Sequence, residues 1–569
     1  MEIELPEYIK NRYWKDYLPE AVTLDLDIPE DMSLIDVWLY NSDKFLDQVK
    51  MDFFGKQFTN GELFILTKRF AAALKDLGVK KGDVVALWLP NCPQFSIAYF
   101  AAVYLGATMT AISPLFTKRE LAYQINDSGA KYLITIDRFV REYQKVADKL
   151  SLNNVIVLNV MEEEVSVPEE GIILHYDKLL NKHQEPLEID VEINPKEDIA
   201  IIQYTGGTTG LPKGALLSHN NVVSMTFAIQ QTTDYLVENY LKENIVTLSI
   251  LPWYHIYGQA CELILGCLSE SLAYILPSFD LARIAEVIKK GRPNSMLGVP
   301  TMFVNILNSP HMKDVDMSCL KFANCGAGAL PDELAAEWKR RTGYRLAEGY
   351  GLSETSTGAI TSPVWARAKL GSVGHPFANT RVGIIKNTPD DNIEFLPIGE
   401  EGEVVLSGPQ IMVGYHNRPE ENKLVFFEAG GFRWLRTGDY GKLDNEGYLF
   451  LLDRVKDLIK YKGHSVYPRE VEEVLYEHPA IQECAVIGVP DSMKGEDIKA
   501  FVLLKAESQG KVTEQDIIDF AKENLAAYKY PREVQFVRSL PKSGVGKILR
   551  RSLRAKEAQR REKEAKKKA

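Results

Sequence analysis

At 569 residues the chain is too long for one ordinary hydrophobic core, so two or more domains are expected. With 45% hydrophobic and 25% charged residues it reads as a globular protein, and a net charge of −11 gives no support to nucleic-acid binding as its main role. The six cysteines, Cys92, Cys261, Cys267, Cys319, Cys325 and Cys484, form no C-x-x-C pair, so neither a zinc site nor a disulfide framework is indicated and reduced cytoplasmic thiols are the expectation.

The opening stretch MEIELPEYIKNRYWKDYLPE has no cationic segment followed by an apolar one and is not read as a signal peptide. GELFILTKRFAAALKDLG predicts a helix stopped at Gly78, and DVVALWL a strand. Between Phe95 and Phe116 there is no charge, and the length would allow a membrane span. Gly106 divides that run, however, into a buried helix, FSIAYFAAVYL, and a short strand, TMTAIS. Thr117-Lys118-Arg119-Glu120 is a capping box opening the helix RELAYQIN, and KYLITI is the next strand. Strand and helix taking turns predict an α/β fold with a doubly wound sheet.

DIAIIQY is a further strand, and YTGGTTGLPKG follows. Gly206, Gly207 and Gly210 let successive backbone N–H groups turn towards one anion, Thr205, Thr208 and Thr209 add hydroxyl donors, and Lys213 adds positive charge. The kinase-type phosphate loop is not matched, because Lys213 follows Pro212 and Gly214 stands where a metal-binding hydroxyl belongs. The plainer reading is a mobile Gly/Thr turn between a strand and a helix.

The pattern changes near Asp453. Pro468 opens the helix PREVEEVLYEH, with Val471, Val474 and Leu475 on one face; ECAVIGV, IKAFVLL and EVQFVRSL read as strands, and Thr513 with Asp516 caps DIIDFAKENL. A small α+β unit of about a hundred residues is expected here. The final RRSLRAKEAQRREKEAKKKA, with ten basic and three acidic side chains, is expected to be a solvated, fraying helix, with a basic arm for an acidic surface as the alternative.

YTGGTTGLPKG resembles the signature of the adenylate-forming superfamily, which contains acyl- and aryl-CoA synthetases, luciferases and peptide-synthetase adenylation domains. LPWYHIYG, CGAGAL, EGYGLSET, RTGD, DRVKDLIKYKG and PKSGVGKILRR follow in that family's order. The nearest likeness is to fatty-acyl-CoA synthetases of medium or long chain. The resemblance implies a large N-terminal domain of doubly wound mixed sheets with helices, residues 1–452, which adenylates and binds the acyl group. A small mobile α+β lid, residues 453–569, is joined to it by a hinge. It also implies two half-reactions: carboxylate plus ATP gives acyl-AMP and pyrophosphate, and CoA then takes the acyl group and releases AMP.

Roles follow from the matched motifs. The loop Thr205–Gly210 with Lys213 is expected to grip the β- and γ-phosphates, and Thr205 with Glu354 to hold Mg²⁺, a hard cation suited to oxygen donors. Tyr350 is expected against the adenine ring and Gly326, Ala327 and Gly328 on its other side, with Glu348 and Gly349 beside them. Many relatives carry Gln where Glu348 stands. Ser353 and Thr355 would reach phosphate oxygens, Asp439 would anchor the ribose, and Arg454 and Lys456 would make further nucleotide contacts. Lys547 matches the adenylation lysine, on a loop that Gly544 and Gly546 make pliable. His255 is expected to orient the substrate carboxylate rather than move a proton, and Tyr257, Gly258, Gln259, Gly326 and Gly328 to border the acyl tunnel, Gly258 leaving space for a chain. Asp453 matches the hinge, and Lys460 and Gly463 the segment turned inward to CoA. The expected partners are fatty acid, ATP and CoA, with no nucleic acid and at most peripheral membrane contact; a homodimer is left open. The alternatives are an aryl or branched-chain acid CoA ligase, a fatty-acyl-AMP ligase loading a carrier protein, and, from another class, a nucleotide-binding scaffold without turnover.

Overall fold

A computed structural model describes residues 3–160, 165–205, 212–366, 368–386, 393–454, 457–461, 464–491, 495–544 and 546–568. Helix α1 (Asn60–Asp76) begins at a capping box in which the Thr59 hydroxyl accepts from Glu62 N–H and the Glu62 carboxylate accepts from Thr59 N–H. Strand β1 (Val84–Trp88), helix α2 (Pro93–Tyr104), strand β2 (Thr108–Ala111), helix α3 (Lys118–Ser128) and strand β3 (Tyr132–Ile136) follow as the alternation predicts. The uncharged run is thus a helix and a strand. Every residue of α2 from Phe95 to Tyr104 is buried, so its apolar character reflects cover on all sides. Among the described residues, no helix is long and apolar enough to cross a membrane.

Strands β1, β2 and β3 pair in parallel within a mixed eight-stranded sheet. The same sheet holds β4 (Ile199–Thr205) and β5 (Lys213–Ser218), an antiparallel hairpin whose last pair is Thr205 with Lys213. The Gly/Thr segment therefore joins two strands, not a strand and a helix. Helix α4 (His219–Leu236) starts only after the Ser218 cap, so no helix dipole points from the segment's own end at an anion.

A fourteen-stranded sheet supplies the rest of the large unit. Its parallel part includes β6 (Val246–Ser249), β7 (Ser295–Gly298), β8 (Phe322–Cys325) and β9 (Leu346–Tyr350). Its antiparallel part includes β10 (Phe432–Leu443) and β11 (Leu449–Arg454). Loops leaving the carboxyl ends of β7, β8 and β9 meet at one cavity, the usual place for a ligand on an open α/β sheet.

Beyond Arg454 come strand β12 (Ile459–Tyr461), helix α5 (Pro468–Tyr476), strands β13 (Ile481–Asp491) and β14 (Gly495–Leu504), helix α6 (Glu514–Asn524) and strand β15 (Glu533–Phe536). With the short strand His464–Val466 they form a five-stranded sheet over its own core of Val471, Leu475, Val486, Ile498, Ile517 and Val534. The basic tail differs from the expectation of a solvated, fraying helix. It forms α7 (Arg550–Lys568), which buries Leu553 against β13. It also buries Glu557 in an ion pair with Lys499, 2.9 Å apart and both almost fully covered. Arg560, Arg561 and Lys499 hold the Glu557 carboxyl down at about 2, so this acid stays ionised where the helix is docked.

Candidate active site

One continuous cavity of about 1750 Å³ lies between the ends of β7–β9, the β4–β5 hairpin and the loop carrying Lys547. At one corner, antiparallel pairing sets Asp439 of β10 beside Arg454 of β11. The Tyr350 hydroxyl donates to Asp439 Oδ2 at 2.7 Å, and Arg454 Nε lies 3.1 Å from Oδ1. Burial and the Asp439 charge push the Tyr350 phenol well up, so it stays a donor. The carboxylate is held rigid while its edge still faces the cavity.

Gly326, Ala327 and Gly328 continue β8 along the cavity wall. A Cβ on Gly326 would stand 2.9 Å from the Tyr257 ring, so only glycine lets the backbone pass there. Ala327 sits at φ +59°, a left-handed conformation that costs an alanine about 1 kcal/mol. Gly349, Ser353 and Glu354 also line the cavity, and Thr355 does not. The Thr355 hydroxyl is fully buried; it accepts from Leu352 N–H at 2.9 Å and donates to Leu352 O at 3.1 Å. It shapes the turn instead of reaching a phosphate, because a hydroxyl committed to its own backbone has no reach left.

Thr205, Lys213 and Glu354 face the cavity together. Glu354 Oε1 accepts from the Tyr415 hydroxyl at 2.6 Å. Lys213 Nζ pairs with Glu421 Oε1 at 3.0 Å and lies over the Tyr415 ring. One carboxylate and one hydroxyl oxygen on a shared wall fit a magnesium ion that takes its remaining oxygens from phosphate and water. Among the described residues no group of three or more His, Cys, Asp and Glu side chains could hold a metal by itself. Gly206, Gly207, Thr208, Thr209, Gly210, Lys456 and Gly463 lie outside the described residues.

Lys547 enters the cavity on a loop tied down at both flanks. The Tyr254 hydroxyl donates to Gly544 O at 2.7 Å, the Thr301 hydroxyl to Gly546 O at 3.4 Å, and Lys547 N–H to Ser543 Oγ at 3.2 Å. In this arrangement the loop is docked. The amine can be reached from the cavity while protein surrounds it; the Arg454 guanidinium and burial bring it down to about 8. His255 stands nearby. Burial, then the Lys547 charge, lower its ring to about 4, so it is neutral near pH 7. Its Nδ1 accepts from Tyr257 N–H at 3.2 Å, which assigns the proton to Nε2 and makes the ring a donor. A neutral donor of this kind orients a carboxylate and does not act as a base.

Away from this corner the cavity has an apolar arm walled by Ile229, Leu236, Leu265, Leu297 and Phe322, with Thr233 and Thr247. Tyr257, Gly326 and Gly328 line the cavity, but two expected neighbours do not. Gly258 faces away from the arm: a Cβ there would lie 2.5 Å from the Pro252 carbonyl oxygen. Its missing side chain permits backbone to pack on backbone and leaves no space for a chain. Gln259 is fully buried, its Nε2 3.4 Å from Gln203 Oε1, and is likewise absent from the wall. Glu262, which sequence reasoning passed over, does line the cavity. Burial pushes its carboxyl up to about 8, and Oε2 accepts from Ser249 at 2.5 Å and Trp253 at 3.2 Å. Neutral near pH 7, it puts no negative charge beside an incoming acid.

Asp453 is buried at the end of β11, accepting from Arg454 N–H at 2.7 Å, Arg469 N–H at 2.9 Å and Arg550 Nη1 at 3.3 Å. Lys460, on β12, is exposed and outside the cavity, its backbone N–H donating to Glu496 at 2.8 Å. So Lys547 lines the cavity and Lys460, expected to serve a different step, does not. Glu348 is buried beside the cavity, accepting from Leu330 N–H at 3.2 Å, with Arg469 Nη2 3.5 Å away. Arg469 and Tyr415 are site residues that no motif assigned, and Arg550 sits in PKSGVGKILRR without a role given to it; their partners come from distant segments.

Comparison with known proteins agrees in order and extent. Residues 40–416 match the model of the AMP-binding enzyme family, and residues 470–547 match the AMP-binding enzyme C-terminal domain. A long-chain-fatty-acid–CoA ligase of Bacillus subtilis is 36% identical over 565 residues, 96% of this chain and 98% of that protein. 4-Coumarate–CoA ligase 1 of Arabidopsis thaliana is 33% identical, covering 94% of each. Among solved structures, anthranilate CoA ligase AuaEII in complex with anthranoyl-AMP superimposes with a TM-score of 0.83 at 27% identity, covering 93% of this chain and 98% of that one.

Proposed function

The chain belongs to the AMP-binding enzyme family, and from that premise we propose that it is an AMP-forming acyl-CoA synthetase acting on a medium- or long-chain fatty acid. The observation that carries this reading is the single cavity joining a nucleotide corner, Asp439 and Lys547, to an apolar arm, Ile229, Leu236 and Leu265. An acid whose tail fills the arm presents its carboxylate to the His255 Nε2–H. One carboxylate oxygen then attacks the α-phosphorus, the bond to the bridging oxygen breaks, and pyrophosphate leaves with that electron pair. Lys547 neutralises the charge gathered between the two anions, where it grows in the transition state. The Gly/Thr segment and Lys213 take the pyrophosphate oxygens. A magnesium ion held by Glu354 and Thr205 would supply further positive charge there. Asp439 anchors the ribose, with Arg454 behind it, and Tyr350 lies against adenine.

The chain is proposed to divide at 452/453, with Asp453 as the hinge of a lid over residues 453–569. The separate core of the small unit supports this. Lys547 then leaves after adenylation, and Lys460 and Gly463 come in with CoA. Six free cysteines fit a reducing compartment, the cytoplasm.

Pyrophosphate release measured over straight-chain acids and over aromatic acids such as 4-coumarate tests the substrate class. Palmitate or octanoate is expected to exceed the aromatic acids; the reverse order would favour an aryl ligase. Thr233→Trp fills part of the arm from α4. If three methylenes lose their place, at ~0.8 kcal/mol each, kcat/KM for palmitate falls roughly fiftyfold relative to octanoate. An equal loss for both acids would remove Thr233 from the acyl wall.

His255→Ala removes a hydrogen bond to a charged acceptor, and KM for the acid is expected to rise about ten- to a hundredfold. Because the ring is neutral well below pH 6, the mutant-to-wild-type ratio stays flat from about pH 6 to pH 8. A ratio that climbs steeply through that range would make His255 a titrating catalyst.

A further inference from the structure

We propose that Arg469 is a positioning residue for adenylation: its guanidinium bolts the small unit onto Glu348 at the nucleotide corner in the arrangement that places Lys547 in the cavity. The inference deepens the adenylation reading above and rests on it. Arg469 is the second residue of α5, only 8% exposed, and both it and Glu348 border the cavity. Its Nη1 donates to Leu451 O on β11 at 3.1 Å, its backbone N–H to Asp453 Oδ2 at 2.9 Å, and its Nη2 lies 3.5 Å from Glu348 Oε1. Within its own helix it reaches only Glu473, through Nε at 3.2 Å. Asp332 is the other carboxylate facing it. The side chain of a small-unit helix thus makes its buried contacts with the large unit.

Glu348, for its part, is under 10% exposed, and among the described residues the other hydrogen bond to its carboxyl comes from Leu330 N–H. Burial pushes that carboxyl up to about 7, and the Arg469 guanidinium is the strongest influence drawing it back towards the ionised form. Burying either charge without the other is costly, while replacing both by neutral groups is not. A lid that turns about Asp453 carries Arg469 off and leaves Glu348 without its cation. The pair therefore favours the arrangement with Lys547 inside. Arg469 and Glu348 act on the first half-reaction through the position of the Lys547 loop, and on the second hardly at all.

The test measures both halves separately, on the full chain: acid-dependent exchange of pyrophosphate into ATP, and conversion of supplied acyl-AMP plus CoA to acyl-CoA. Glu348→Gln keeps a carbonyl acceptor for adenine. It and Arg469→Met are each expected to lower the exchange rate at least about tenfold, with thioester formation within about twofold of wild type. The double variant Glu348→Gln/Arg469→Met is expected to recover most of the exchange lost in Arg469→Met alone, as coupled partners do. Equal loss in both halves, or no recovery in the double variant, overturns the latch. Should Arg469→Met lose its folding transition, Glu348→Gln decides alone, since it leaves the hinge contacts of Arg469 in place. If the wild-type protein itself supports neither half with any acid, the adenylation reading fails instead, and that outcome is distinct from the others.

Discussion

Lys547→Ala should abolish most of the first half-reaction and spare the second. The amine is the cation of this loop that reaches the cavity corner near His255 and Arg454. A group that meets charge only in the transition state is worth about 3–4 kcal/mol, so acid-dependent exchange of pyrophosphate into ATP should drop roughly a hundred- to thousandfold. Supplied acyl-AMP plus CoA should still give acyl-CoA at near the wild-type rate, because no phosphate is then under attack. The fold should survive, since the loop is held by Gly544, Gly546 and Ser543 through backbone contacts that alanine keeps. Equal loss of both halves in a folded Lys547→Ala protein would mean one static site carries both steps. The mirror case is Lys460, outside the cavity here, whose loss should tell on thioester formation.

Glu354→Gln should be nearly as severe. The amide keeps an acceptor for the Tyr415 hydroxyl, so the wall should not collapse, while the charge assigned to magnesium disappears. Adenylation is expected to fall about a hundredfold, with a higher magnesium concentration needed for half-maximal rate. Acyl transfer from ready-made acyl-AMP should change far less, because no pyrophosphate then needs neutralising. Titrating magnesium against both half-reactions checks this; an unchanged magnesium dependence would take Glu354 out of the metal site.

Much of the molecule was legible before any coordinates. The Thr117 and Thr513 helix starts rest on hydroxyl-to-amide bonds within a few residues, and the chain writes such bonds locally. The uncharged run at 95–116 resolved into helix and strand because Gly106 interrupts it. The ordered motifs brought Lys547, Asp439, Glu354, Thr205 and His255 to attention, and the fold gathers all five around one cavity.

Tertiary structure decided the rest, and for one physical reason. Sequence pattern reports which backbone state and which face a residue prefers, but not which distant atom it will meet. A glycine reads as space whether its missing Cβ faces a tunnel or, as at Gly258, the Pro252 carbonyl. A threonine beside a phosphate motif reads as a donor until its hydroxyl is seen bonded to its own turn, as at Thr355. A basic tail reads as solvated until Glu557 finds Lys499 and Leu553 finds a core. Arg469 looks like one more charge at a helix start, and only the packing of that helix against β11 sets its guanidinium on Glu348. By itself the sequence determined the chemistry available and the order in which it is strung; the long-range packing determined which of those groups face the cavity and which hold its walls.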